Sequence, residues 1–224
     1  MSALAQLPAL VPGAAVTLEL LLLSLLVGGV LALLLALARL SPLWPLAGAA
    51  RLYIFVFRAT PLLVQIFLIY YGLGQFEAVR ASLLWPLLRE PMGCAVLALA
   101  LNNAAYSAEI LRGGIRSVAA GQIEAARALG MPRLLLFRRI VLAQALRNAL
   151  PAYGNEVAQM IQATALASTI TLVEITGAAR AVAARTFQPV GIFVAAAAFY
   201  LLLTFVAGQS VRLLEKRLRR PTAN

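Results

Sequence analysis

The sequence predicts an all-α membrane protein, a bundle of five transmembrane helices with a long basic loop on one side. Three observations carry that expectation. Hydrophobic residues make up 62% of the 224-residue chain and charged residues 12%, about half the charged share of an ordinary soluble domain. The apolar residues gather into five runs, each near the roughly 20 residues that a helix needs to cross the hydrocarbon core. The charges fall mostly in the short connections between those runs.

The runs lie at about 14–38, 52–73, 92–111, 150–172 and 190–213, within a single domain over residues 1–224. The first is Leu, Val, Ala and Gly, broken only by Thr17, Glu19 and Ser24. No Lys or Arg precedes Arg39, so it lacks the positive start of a secretory signal and is expected to be a retained span. In the second, Pro61 predicts a kink that frees backbone carbonyls, and Gln65, one turn on, is placed to meet them. The segment 81–88 is too short to cross, and Pro86 and Pro91 make it a loop or interfacial turn. In the third run, Cys94 reads as a small buried hydrophobe. Asn102 and Asn103 are expected to hydrogen-bond between helices, and Glu109 and Arg112, three apart, to pair. The fourth run is the weakest, diluted by Asn155, Glu156, Gln159, Gln162 and Thr164. In the fifth, Ala195 to Ala198 leave a smooth surface for helix packing. No internal repeat relates the two halves, as it does in many secondary transporters.

Charge orients the bundle. Net charge is +11, and Lys216 is the sole lysine among 19 cations. In a soluble protein that surplus would suggest nucleic acid; in short loops it reads as topology, and no nucleic-acid partner is expected. Arg39, Arg51 and Arg58 border the first connection, and seven arginines from Arg112 to Arg147 fill the third. Arg212, Lys216, Arg217, Arg219 and Arg220 close the chain. The second and fourth connections hold only Arg80 and Arg89, and Arg180 and Arg185. The positive-inside rule then places the N-terminus outside and the C-terminus in the cytoplasm.

The third connection, about 113–148, predicts a helical elbow. Glu124 to Leu129 are strong helix formers; Gly130 suits the left-handed residue that ends a helix, and Pro132 the first turn of another. Leucines and isoleucine alternate with Arg133, Arg138 and Arg139, an amphipathic pattern toward the membrane surface. Ala125 and Ala126 allow close approach of a partner surface, and Glu124 offers a hydrogen-bond acceptor. An amphipathic loop on anionic lipid is the plainer explanation of the same composition.

In the fourth run Asn155, Gln159 and Gln162 recur at i, i+4 and i+7 and so share a helix face, with Glu156 beside them. Polar groups are costly at membrane depth. This stripe, with Thr164, is expected either to line a path for solute, Glu156 meeting a cation, or to hold two subunits together. Glu19 lies near the outer boundary of the first span. No histidine or aspartate occurs, and the phosphate loop Gly-x-x-x-x-Gly-Lys-Ser/Thr is missing. Ser-His-Asp catalysis and ATP hydrolysis by that route are therefore excluded; no metal or cofactor is expected on this chain, and a partner must supply any energy.

Gly121-Gln122-Ile123-Glu124-Ala125-Ala126-Arg127-Ala128-Leu129-Gly130, followed after nine residues by Ile140-Val141-Leu142, resembles the EAA loop of ABC-importer permeases. Arg58-Ala59-Thr60-Pro61-Leu62-Leu63-Val64-Gln65 with Tyr70-Tyr71-Gly72-Leu73, the stretch Ala104–Ile115, and Leu150-Pro151-Ala152-Tyr153-Gly154-Asn155-Glu156 are similar, in order, to permeases of the polar amino-acid uptake branch. Thr164–Thr169 and Thr186-Phe187-Gln188-Pro189 look most like the histidine, lysine, arginine and ornithine permeases and their opine-uptake relatives. Two departures stand out. Ala143 occupies the position of a family proline that shapes a helix bend, and Gln162-Ala163 stand where many relatives have Lys and an acidic residue or glycine.

The resemblance implies a type I importer permease fold in the bacterial inner membrane, with a cytoplasmic coupling helix between spans three and four. Glu124, Ala125, Ala126, Leu129 and Gly130 would dock to a homodimeric ATPase, which alone binds ATP and Mg²⁺. A second permease, a similar paralogue or another copy, would complete the path. A periplasmic or membrane-anchored binding protein would deliver a basic amino acid, or alternatively an opine or another polar amino acid. An ATP-independent channel or secondary carrier is the reading of a different class, and it leaves the elbow unexplained.

Overall fold

The computed structural model describes residues 3–218, so Arg219 and Arg220 of the basic tail lie outside the described residues. Every regular element among the described residues is helical. A 3₁₀ segment, Ala3–Leu10, leads into α1, Val11–Leu40. Next come α2 (Trp44–Ala59), α3 (Leu62–Phe67), the one-turn helices α4 (Glu77–Arg80) and α5 (Trp85–Leu88), and the long α6 (Pro91–Arg116). The second half holds α7 (Ala120–Ala128), α8 (Arg133–Leu136), α9 (Ala143–Ala163), α10 (Ile175–Thr186) and α11 (Pro189–Leu218). Three helices are by themselves long and apolar enough to cross a membrane: Leu7–Leu40, Pro91–Arg116 and Pro189–Leu218.

The other two expected spans are bent. The run at 52–73 is not one helix: α2 and the segment Leu62–Gln75 meet at 105°. Pro61 is the cause, because a residue before proline is pushed out of the helical region, and Thr60 is extended at φ −105°, ψ 143°. Gln65 repairs the break as its position suggested. Its Nε2 donates to Phe57 O at 2.9 Å, to Thr60 O at 3.2 Å and to Thr60 Oγ1 at 2.8 Å.

The fourth run is longer than its apolar residues suggest. From Arg133 the chain is continuously helical to Ile170, through a widened π-type turn at Phe137–Leu142 just before Ala143 and a tightened 3₁₀ end at Thr164–Ile170. The amphipathic second helix of the elbow is therefore no separate element but the start of this rod. Thr171, at φ +71°, ends it, and α10, read from sequence as part of a loop, follows at 50°. Segment 81–88 stays in single turns, as its prolines require.

Helix α6 is the spine. In lipid, helices associate by close packing rather than by hydrophobic expulsion, which favours small residues at the contact. Gly93, Ala95, Ala98, Ala100, Ala104, Ala105 and Ala108 on α6 are all buried. Of these, Ala95, Ala98, Ala105 and Ala108 share clusters with Leu20, Leu21, Ala32 and Ala36 of α1, Ile66 of α3 and Ile161 of α9. Cys94 is 1% exposed. Two glycines mark close approaches of α6 to α1 and α9. A Cβ on Gly28 would stand 2.7 Å from Asn103 Oδ1, and one on Gly114 2.5 Å from Ala145 O. A second cluster packs Ile175, Ala179 and Val182 of α10 against Ile192, Ala195 and Ala196 of α11, using the small-residue surface expected there.

Candidate functional site

The elbow is built by α7 and its sharp termination. Gly130 adopts φ +72°. Its N–H donates to Arg127 O at 2.9 Å, and Met131 N–H reaches back to Ala126 O at 3.1 Å. This pair of bonds satisfies carbonyls that the helix end would otherwise orphan. The turn works because Gly130 carries no Cβ; other residues tolerate that conformation poorly. Pro132 is extended at ψ 146°, and α8 begins behind it.

Ala126 corrects the sequence expectation. It faces its own chain, 3% exposed, in a small core with Val118, Leu136 and Val141. A helix face needs one side for attachment, and Ala126 supplies it. Glu124 and Ala125 are exposed, and Leu129 is 85% exposed. A lone exposed leucine means little. Here it borders a groove of about 650 Å³ with Gln122, Ala125, Arg139, Gln144 and Arg147. Gln144 Nε2 donates to Gln122 Oε1, and Asn148 Nδ2 to Ser117 Oγ at 2.8 Å. Both ends of the elbow are thus tied to the rod that enters the bundle.

Within the bundle the predicted polar stripe divides. Asn155, Gln159 and Gln162 lie exposed on one face of α9 and its continuation. Glu156 is buried instead, with its Oε1 accepting from Asn103 Nδ2 at 3.2 Å. Thr164 is fully buried, its hydroxyl donating to Ile161 O at 2.7 Å, so it faces protein and not the open stripe. Gln162 borders a groove of about 370 Å³ with Ala165, Ala197, Tyr200, Leu201 and Thr204. Glu19 is exposed on α1 beside Leu22 and Leu23. Asn102 joins α6 to α3, donating to Gln65 Oε1 at 3.0 Å and to Phe57 O at 3.3 Å. Glu109 pairs with Arg112 at 2.6 Å, as its spacing suggested, and also with Arg39 of α1 at 3.3 Å. Among the described residues no three His, Cys, Asp or Glu side chains converge in a way that could hold a metal ion.

Sequence reasoning missed Glu174. It is fully buried at the start of α10. Its carboxylate accepts from Thr176 N at 2.9 Å, Gly177 N at 2.8 Å and Tyr200 O–H at 2.5 Å. Ile175 N–H meets Thr17 Oγ1 of α1 at 3.3 Å. One side chain thus fastens α10 to α11, while the next residue's backbone fastens it to α1. Helices usually start on Ser, Thr, Asp or Asn, so a Glu before Ile-Thr-Gly gave little signal.

A family model described as binding-protein-dependent transport system inner membrane component matches residues 25–220. The octopine transport system permease protein OccM of Rhizobium meliloti is 56% identical over 220 residues, covering 95% of this chain and 90% of that protein. The histidine/lysine/arginine/ornithine transport system permease protein HisM of Escherichia coli K12 is 45% identical over 213 residues, covering 92% and 87%. A chain in the crystal structure of an amino acid ABC transporter with histidines superposes with a TM-score of 0.83 at 37% identity, over 94% of each chain. Glu174→Ala should cost about 2–4 kcal/mol of stability, from a lost cap and buried donors left unpaired. The check is thermal unfolding in detergent, where an unchanged midpoint would deny that Glu174 holds α10.

Proposed function

This chain belongs to the family of binding-protein-dependent transport system inner membrane components, and from that premise we propose that it is the permease subunit of an ATP-driven importer of basic amino acids or opines. The named relatives transport octopine or histidine, lysine, arginine and ornithine, and the fold is that of a type I ABC permease. It is a transporter subunit, not an enzyme, and a separate ATPase hydrolyses ATP. The observation that carries the reading is the elbow, a basic, glycine-terminated turn packed on the chain through Ala126, with Leu129 exposed at its tip.

In this reading each bent pair of helices counts as one crossing, giving five spans with the N-terminus outside and the elbow in the cytoplasm. A homodimeric ATPase, carrying ATP and Mg²⁺, grips Glu124, Ala125, Leu129 and Gly130, while Ala126 anchors the same helix from behind. A second permease, paralogue or identical copy, faces the exposed stripe, and a binding protein delivers solute from outside. Closure of the ATPase displaces α7 and rocks the spans between inward- and outward-facing arrangements. Asn155, Gln159 and Gln162 line the path, and Glu156, next to that stripe, adds negative charge for a cationic solute. Glu19, near the outer mouth, is placed to attract the same charge.

Three outcomes are expected. Gly130→Val forces a β-branched residue to φ +72°, a strain of about 1–3 kcal/mol. Co-purification of the ATPase should weaken several-fold or more, whereas Gly113→Ala, in open space, retains it; equal recovery with both would sink the docking role. Glu156→Gln should lower arginine uptake by about ten-fold, the difference between a charge-assisted and a neutral contact, and uptake within twofold of wild type removes Glu156 from the path. In a Cys94→Ser background, an impermeant maleimide should label Leu129→Cys only from the cytoplasmic side and Leu83→Cys only from outside. The opposite pattern would overturn the orientation.

A further inference from the structure

The end of α1, helix α2 and the last turns of α6 border an open cavity of about 440 Å³, lined by Arg39, Arg51, Phe55, Arg58, Tyr106 and Glu109. Glu109 is the sole acid on its wall, and it is already shared by Arg39 at 3.3 Å and Arg112 at 2.6 Å. Arg58 lies over the Tyr106 ring, 5.0 Å from its centroid. Among the described residues no carboxylate lies within 4.0 Å of Arg51 or Arg58. Two guanidiniums therefore stand at the cavity without a direct ion pair, Arg58 feeling Glu156 only at longer range, in a chain short of water-facing surface.

Helix α2 supplies the rest of the setting. It turns 105° from the segment that follows and presents Trp44 at 83%, Leu52 at 64% and Phe55 at 67% exposure. An exposed tryptophan at the start of an amphipathic helix is characteristic of the membrane–water boundary. Leucine and phenylalanine beside the arginines offer an apolar surface at the same depth. Guanidinium groups bind phosphate through paired N–H donors, and basic pockets between helices on the cytoplasmic side take up phospholipid headgroups.

We propose that this cavity holds the phosphate of an anionic phospholipid of the inner leaflet, gripped by Arg51 and Arg58 with an acyl chain along Leu52 and Phe55. The choice of the inner leaflet rests on the orientation given above. The site is distinct from the elbow and from the polar stripe of α9. By tying α2 to the leaflet, the lipid would brace the Thr60–Pro61 break, where α3 turns upward.

Native mass spectrometry of the full chain in detergent, offered equal phosphatidylglycerol and phosphatidylcholine, tests it. An arginine near an anionic surface contributes roughly a five-fold preference, so phosphatidylglycerol should be retained about 30-fold over phosphatidylcholine for two of them. Arg51→Gln with Arg58→Gln should abolish that selectivity, whereas Arg80→Gln with Arg185→Gln, exposed in the second and fourth connections, keeps it. If the glutamine pair fails to fold, the wild-type preference still decides. Equal retention of both lipids overturns the proposal. So does displacement of phosphatidylglycerol by millimolar inorganic phosphate, which would make this a soluble-anion site. Selectivity confined to the isolated chain and lost when the second permease is bound would assign the arginines to that subunit. Lipid selectivity in detergent does not depend on orientation, and maleimide labelling does not depend on lipid, so the two readings fail separately.

Discussion

Close approach to α6 is the constraint from which the rest follows. A bilayer offers helices no water to escape, so their association depends on packing and on polar groups finding each other. The alanine-rich faces of α6 let α1 and α9 come near enough for short polar side chains to reach across. Gly28 lies against the backbone of Ala100 and the side chain of Asn103, and Asn103 then touches Glu156. One turn of side chains thus joins three helices. A bulkier α6 would separate them and leave a buried carboxylate without its donor.

Breaks in the helices are handled by the same economy. Where Pro61 removes a backbone bond, Gln65 and Asn102 occupy the freed carbonyls. Where the rod ends at Thr171, Glu174 takes up the first amides of α10. At each break side chains take up freed backbone groups, Gln65 and Asn102 at the first and Glu174 at the second. Irregular backbone survives in a membrane protein only on such terms.

This explains what could be read from the sequence and what could not. Gly130 and Pro132 speak locally, since one conformation and one missing donor define their role, and the elbow was legible for that reason. Asn102, Asn103, Glu109 and Arg112 were legible because polar residues in a span must find partners. The split of the polar stripe was not. Helical periodicity puts Glu156 100° from Asn155 but does not say which helix waits there. Ala126 looked partner-facing because a small residue suits any close contact, internal or external. The long rod was hidden because Arg133 to Asn148 is too polar to read as part of a span. Helix α10 was hidden because its cap is an unusual residue.

The rod gives the elbow mechanical meaning. From Arg133 to Ile170 the helix is unbroken, roughly 55 Å at about 1.5 Å per residue. That is longer than the hydrocarbon core is thick. One end is pinned to α7 through Ala126, Leu136 and Val141. The other meets α10, which Glu174 and Thr17 fasten to α11 and α1. In the proposed coupling, a push on α7 meets a packed inner face and a termination set by Gly130 at φ +72°. In that reading the displacement travels along the rod or is taken up where the helix is irregular: at the pitch changes Phe137–Leu142 and Thr164–Ile170, and at the interior Pro151. The second pitch change borders Gln162 and the groove beside Tyr200, and Tyr200 is the residue that Glu174 holds. The elbow and the groove beside Gln162 are thus connected through one continuous helix. On the proposed function, that is the route by which a subunit without catalytic residues of its own is driven from outside itself.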